Sequence, residues 1–195
     1  IYSSPILTGV IFSGNTASWG GGMILSHSSP TLMDVTFSGN TTSWGGGMSL
    51  SNSSPTLTNS ILWGNSPQEI YFRGIGEPNS ITITYSDILG GQDSIVTNDN
   101  GTVTWGDGNI DVDPMFVDTA NGNYHLLASS QLINAGDPDS LDSDGSIADI
   151  GAYPYLNSYS GPTWYISESG NDTTATGASG DPFRSIQAGI NFSSN

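Results

Sequence analysis

The chain has no cysteine and no lysine, and charged residues make up only 10% of it, against about a quarter in ordinary globular domains. The first absence excludes disulfides, thiolate metal sites and cysteine nucleophiles. The second leaves Arg73 and Arg184 as the only strong cations against 18 carboxylates, a formal net charge of −16. A surface of that sign repels nucleic acid and anionic lipid, so neither is expected as a partner. No apolar run approaches the ~18 residues of a membrane span, so no membrane insertion is expected. No signal-peptide pattern opens the chain. It begins inside a motif, Ile1-Tyr2-Ser3-Ser4-Pro5, and reads as a mature or processed piece of something larger.

Glycine (26 residues), serine, threonine and asparagine fill the places that charged residues usually take. That composition would suit a flexible linker. Five tryptophans, eight tyrosines, six phenylalanines and regularly spaced short apolar runs argue for burial instead. A compact two-layer domain needs longer runs, whereas a solenoid does not.

The decisive feature is repetition. Residues 3–27 read SSPILTGVIFSGNTASWGGGMILSH and residues 28–52 read SSPTLMDVTFSGNTTSWGGGMSLSN. Residues 53–74, SSPTLTNSILWGNSPQEIYFRG, start a third copy and then diverge. Each repeat holds short alternating runs such as Val10-Ile11-Phe12 and Met23-Ile24-Leu25, separated by turn formers and without helical period. Two or three strands per repeat describe one coil of a right-handed parallel β-helix, an all-β solenoid whose coils of about 25 residues stack at the ~4.8 Å strand spacing. Stacking places Asn15, Asn40 and Asn65 in one column and Trp19 over Trp44. Phe12/Phe37 and Leu32/Leu57 would fill the interior. Each asparagine follows a glycine at a sharp corner, where it is expected to take positive φ and bond to the amide above.

The string SSPTLTN…FSGNTASWGGGM resembles the repeats of secreted right-handed parallel β-helix proteins of the pectate-lyase-like fold. It is also similar to the GGG-and-FxxN repeats of bacterial polymorphic outer-membrane proteins. Asn59–Asn65, Ile81–Gly91, Asn109–Phe116, Gly122–Gly136 and Ala148–Tyr153 continue the likeness. In proteins of this kind that order marks the last coils and a C-terminal cap. The resemblance implies a location outside the cell or on its surface, and it specifies fold far better than function.

This divides the chain into a β-helix with its cap over 1–155, a Ser/Gly/Pro linker over 156–162, and a segment over 163–195. That last segment reads as a strand, Trp164–Ser167, and a short helix begun by Asp181 as N-cap and Pro182. Phe183, Ile186 and Ile190 share its predicted apolar face. It resembles the N-terminal cap of such β-helices, yet here it comes last, while the first coil has none. Two readings stay open. The segment opens a following β-helix in a tandem protein, or its Trp164, Ile166, Phe183, Ile186 and Ile190 cover the first coil of a neighbouring subunit in a head-to-tail filament.

The densest polar cluster is GDPDSLDSDGSIADIG over 136–151. Asp142-Ser143-Asp144-Gly145 resembles the middle of a calcium loop, and Asp139, Asp142, Asp144 and Asp149 are the expected Ca²⁺ ligands. Enzymatic readings fare worse. Lyases of this fold want a basic residue, and hydrolases want converging carboxylates; residues 1–70 hold only Asp34 and Glu69. The expectation is therefore a non-catalytic extracellular structural protein, a surface stalk, adhesin segment or filament subunit. The alternative is a carbohydrate-binding or polysaccharide-cleaving β-helix.

Overall fold

The computed structural model describes residues 3–193; Ile1, Tyr2, Ser194 and Asn195 lie outside them. Each repeat forms three strands. The first coil holds β1 (Ile6–Thr8), β2 (Ile11–Ser13) and β3 (Met23–Ser26). The second holds β4 (Thr31–Met33), β5 (Thr36–Ser38) and β6 (Met48–Ser51), and the third β7 (Thr56–Thr58), β8 (Ile61–Trp63) and β9 (Ile70–Phe72). A fourth coil runs through β10 (Asn79–Thr84), β11 (Asp87–Ile88) and a bridge at Val96. β12 (Gly101–Trp105) and a bridge at Ile110 begin a fifth. Strands at equivalent positions pair in parallel, giving three sheets in the orders β1-β4-β7-β10-β12, β2-β5-β8-β11 and β3-β6-β9. The chain is thus a parallel β-solenoid.

The register is that of the sequence repeat: Leu7 lies over Leu32, Leu32 over Leu57, and Leu57 over Ile83. The second sheet stacks Phe12, Phe37, Leu62 and Ile88, and the third stacks Leu25, Leu50 and Phe72. These inward columns form one continuous core. From the second coil onward they are fully buried, whereas Leu7, Phe12 and Met23 of the first coil are only partly so. The Phe12 and Phe37 rings stack face to face at 4.7 Å.

Corner conformation departs from expectation in one respect. The left-handed residue beside the asparagine column is the preceding glycine: Gly14, Gly39 and Gly64 have φ of 61°, 65° and 71°. The asparagines themselves keep negative φ, since the glycine before each one makes the turn. At the corner between the first and second sheets, Gly9, Asp34, Asn59 and Tyr85 all adopt positive φ. Side-chain type varies there while backbone conformation does not. In the Gly-Gly-Gly turn the limit is proximity, since a Cβ on Gly46 would sit 2.4 Å from the Ser66 nitrogen.

Beyond Ile110 the chain leaves the stack. β13 (Phe116–Asp118) and β14 (Asn123–Leu126) form an antiparallel hairpin. Residues 136–152 then run back along the outer face of the second sheet instead of adding coils over its end. Gly151 and Asp137 donate to the main-chain and side-chain oxygens of Asn59, at 2.9 and 2.8 Å, and Ala152 donates to Thr36 Oγ1 at 3.1 Å. This layer buries Thr36 and Ile61, which point out of the solenoid, and a second core forms beneath it.

Truncating a fully buried aromatic in such a column leaves a cavity and costs about 3–5 kcal/mol. Phe37→Ala is expected to lose that amount in urea unfolding, and Phe12→Ala, only partly buried in the first coil, less. Equal losses would contradict a core that opens toward the first coil.

Candidate functional site

Three features distinguish this molecule from a bare stack: side-chain ladders at the corners, an exposed aromatic column, and a carboxylate-rich side layer. The asparagine ladder runs in one direction. Asn15 N and Nδ2 donate to Asn40 Oδ1 at 3.0 and 2.9 Å, and Asn40 N and Nδ2 donate to Asn65 Oδ1 at 2.9 and 2.7 Å. The second Nδ2 hydrogen of Asn40 and of Asn65 reaches back to the carbonyls of Phe12 and Phe37. The expected column is therefore present, and the amide is the only neutral side chain able to fill every role in it.

What sequence reasoning missed is how the ladder stops. Asn65 N donates to Glu69 Oε1 at 3.0 Å, and Asn65 Nδ2 donates to Glu69 Oε2. Glu69 is 3% exposed, and burial pushes its carboxyl up to about 7 against the opposing hydrogen bonds from Asn65. Two serine ladders end similarly. Ser28 N and Ser53 N donate to Ser53 Oγ and Asn79 Oδ1. Ser60 N and Ser86 N donate to Ser86 Oγ and Asn109 Oδ1. The signal was available: a polar residue of new type where the repeat breaks.

Trp19 and Trp44 stack as expected, with centroids 6.0 Å apart. Tyr71 extends the column at 5.5 Å from Trp44, and the Arg73 guanidinium lies 5.0 Å from the Trp19 ring centre. The tryptophans are 38% and 44% exposed. Their faces are largely taken by one another, so the column turns ring edges to solvent.

The structure engages the expected calcium ligands otherwise. Asp142 Oδ2 accepts from Asp149 N at 3.0 Å. Asp144 accepts from Ser146 N and Oγ on one oxygen and from Asn157 N on the other. The buried Asp149 accepts from Asn134 N at 2.7 Å and Tyr155 N at 2.6 Å. Asp139 is exposed, and its own amide bonds to Asp137. No group of three His, Cys, Asp or Glu residues that could hold a metal ion occurs among the described residues. Of the expected ligands, Asp142, Asp144 and Asp149 accept hydrogen bonds from backbone amides.

Residues 163–193 pack on their own chain. Phe183 is fully buried between Trp164, at 6.0 Å, and Phe192, at 5.1 Å. Asn191 Nδ2 donates to the carbonyls of Ala128 and Ser130, and the Tyr155 hydroxyl to that of Ala175. The helix α1 spans Ile186–Ser193 and is capped by Ser185, whose Oγ accepts from Ala188 N at 3.1 Å. Asp181 instead accepts from Thr176 N. Ala188 and Phe192 form its buried face, while Ile186 and Ile190 are 71% and 50% exposed. The predicted grouping of Phe183 with Ile186 and Ile190 is corrected accordingly: Phe183 lies before the helix and turns inward. Ile166, in a bridge to Phe183, is also exposed.

Among the described residues no helix is long and apolar enough to cross a membrane. No family model matches the chain, and neither any curated protein nor any solved structure matches it.

Burial raises five carboxyls: Glu69 and Asp149 to about 7, Asp142 to about 6, Asp87 to about 8, and Asp34 in the same direction. Asp87 is fully buried behind the side layer, accepting from Val112 N at 3.0 Å. Asp144 moves the other way, because hydrogen bonds from Ser146 and Asn157 outweigh its desolvation. For the raised groups the folded state binds protons more tightly than the unfolded chain. Their stabilising contribution is complete below about pH 4, the unfolded range, and is lost as pH rises through about 6 to 8. The melting temperature is expected to be higher near pH 5 than near pH 8. Glu69→Gln, whose amide oxygen still accepts from Asn65, should flatten that slope and raise the pH 8 value. A slope unchanged by Glu69→Gln would contradict a titrating ladder end.

Proposed function

We infer that this chain is a non-catalytic structural protein that works outside the cell or on its surface, as a stiff solenoid segment of a stalk, adhesin or filament. The observation that carries this reading is the investment of the repeat residues in stacking. Asparagine, serine, tryptophan and phenylalanine at repeat spacing bond to or stack on their own counterparts one coil away. Residues conserved between coils for that purpose are not free to bind substrate. The location rests on the likeness of the repeats to those of secreted and surface proteins.

A carbohydrate-binding reading is favoured by one observation, the exposed Trp19–Trp44–Tyr71 column beside Arg73. Aromatic edges and a guanidinium can line a sugar subsite, although the face-to-face packing leaves little ring face for a pyranose.

Antibody raised against the chain should label intact cells of the producing organism. Incubation with a panel of plant and bacterial polysaccharides should release neither reducing ends nor unsaturated sugars. Labelling only after permeabilisation, or turnover of any polysaccharide, would overturn the reading. Trp44→Ala should leave the protein folded, and a loss of glycan binding on that change would shift the assignment to the second reading.

A further inference from the structure

The second sheet separates two cores. Its inward residues Phe37, Leu62 and Ile88 belong to the core of the solenoid, and its outward residue Ile61 joins Leu126, Leu132 and Ile150 in the second core. In that outward column Asp87 pairs with Ile61 on one side and with Ile110 on the other. A carboxyl thus stands between two isoleucines, on the face that the hairpin and the side layer cover.

Asp87 is fully buried. Its Oδ1 accepts from Val112 N at 3.0 Å, and its Oδ2 has no hydrogen-bond partner. Buried polar oxygens are ordinarily bonded, and this one is not. Val112 lies where the chain leaves the stack, two residues beyond the bridge at Ile110. One bond from Asp87 therefore ties the root of the covering residues to the fourth coil. Just beyond it, Ser130 Oγ donates to the Pro114 carbonyl at 2.7 Å and Leu127 N to that of Met115 at 3.0 Å, which carries the tie into the hairpin.

The surroundings decide which charge state fits. The charges that act on Asp87 are Asp111 and Asp113, on the segment leaving the stack, and Glu69, on the third coil. Residues 112–152 contain no Lys or Arg. Their one histidine, His125, is exposed and stacked on Tyr153. Arg73 lies over Trp19, and Arg184 is exposed. An ionised Asp87 would be a buried charge with no cation, one hydrogen bond and three like charges around it.

We propose that Asp87 is a proton-controlled latch: its neutral carboxyl keeps residues 112–152 seated on the second sheet, and its ionisation releases them while the coils stay stacked. This goes beyond the structural role above, since it gives the solenoid a part that moves. Selectivity follows from the two cores. A charge on the outward face disrupts the second core, whereas Ile88 and the inward columns lie on the other side of the sheet. Burial first, and the three carboxylates after it, hold the Asp87 carboxyl up at about 8. Seating is therefore complete at low pH and is lost as pH rises through about 8. Release bares Ile61, Leu126, Leu132 and Ile150 as an apolar surface.

Amide hydrogen exchange of the intact chain between about pH 6 and about pH 9, corrected for the intrinsic rate, tests this. The amides of Leu127, Gly136 and Ile150, bonded within the covering residues, should lose protection as pH rises, while those of Ile61 and Thr82 in the coils keep theirs. Asp87→Asn, which still accepts from Val112 N and cannot ionise, should keep the covering residues protected at both ends of the range. Release that persists in Asp87→Asn, loss of coil and covering amides together, or protection unchanged to about pH 9 would each overturn the proposal. Carbon NMR of the Asp87 carboxyl in the unaltered protein decides the matter even where the variant fails to fold. Its titration should coincide with release, and a carboxyl already charged near pH 6 under closed covering residues would refute the latch.

Discussion

A solenoid corner brings backbone amides into a turn where no strand partner reaches them, and leaving them buried and unpaired costs about 1–3 kcal/mol each. This molecule meets that constraint with a side chain from the coil next door. Asn40 receives two hydrogen bonds from Asn15 and makes two to Asn65 and one to Phe12. Serines do the same at the other corners, with Ser60 Oγ accepting from Val35 N while donating to the Thr58 carbonyl. The asparagine corner therefore needs the same residue at the same place in the adjacent coil, and the 25-residue repeat is the sequence expression of that need. Strand pairing, column stacking and core filling follow once the corners are aligned.

The scarcity of charge belongs to the same logic. Corners and interior have room for hydroxyls and amides that bond to their own kind, but a column of identical charges would repel. Carboxylates gather instead in the fourth and fifth coils and in the side layer. The few that are buried either end a ladder, as Glu69 does, or hold a backward-running loop, as Asp149 does through Asn134 and Tyr155. In both places backbone amides replace the cations that the chain lacks.

The solenoid was legible because its signals are periodic. Pro5/Pro30/Pro55, Asn15/Asn40/Asn65 and Trp19/Trp44 mark the coil length, and the strands between them pair at that spacing. The ends were not legible, because each is made by one residue that occurs once. Nothing periodic announces that Glu69 replaces the fourth asparagine, that Tyr85 takes the left-handed position of Gly9, or that Thr36 and Ile61 face outward under a covering layer. The acidic segment was ambiguous for a related reason. Alternating carboxylates suit a cation loop and a turn closed on backbone amides equally well, and only the positions of Asn134, Asn157 and Tyr155 separate the two. In the C-terminal segment, apolar spacing placed Phe183 on the helix face, whereas the helix begins only at Ile186.

The most direct test of the stacking account is amide hydrogen exchange on a variant carrying a tandem duplication of residues 3–27 between His27 and Ser28. If corner ladders and register hold the fold, the inserted 25 residues form the second coil, and the original residues 3–27 remain the outermost one. The inserted coil's amides near its Phe12 and Asn15 equivalents should then show the protection that Phe37 and Asn40 show in the parent. An insert that exchanges like unfolded chain, with protection elsewhere unchanged, would contradict it.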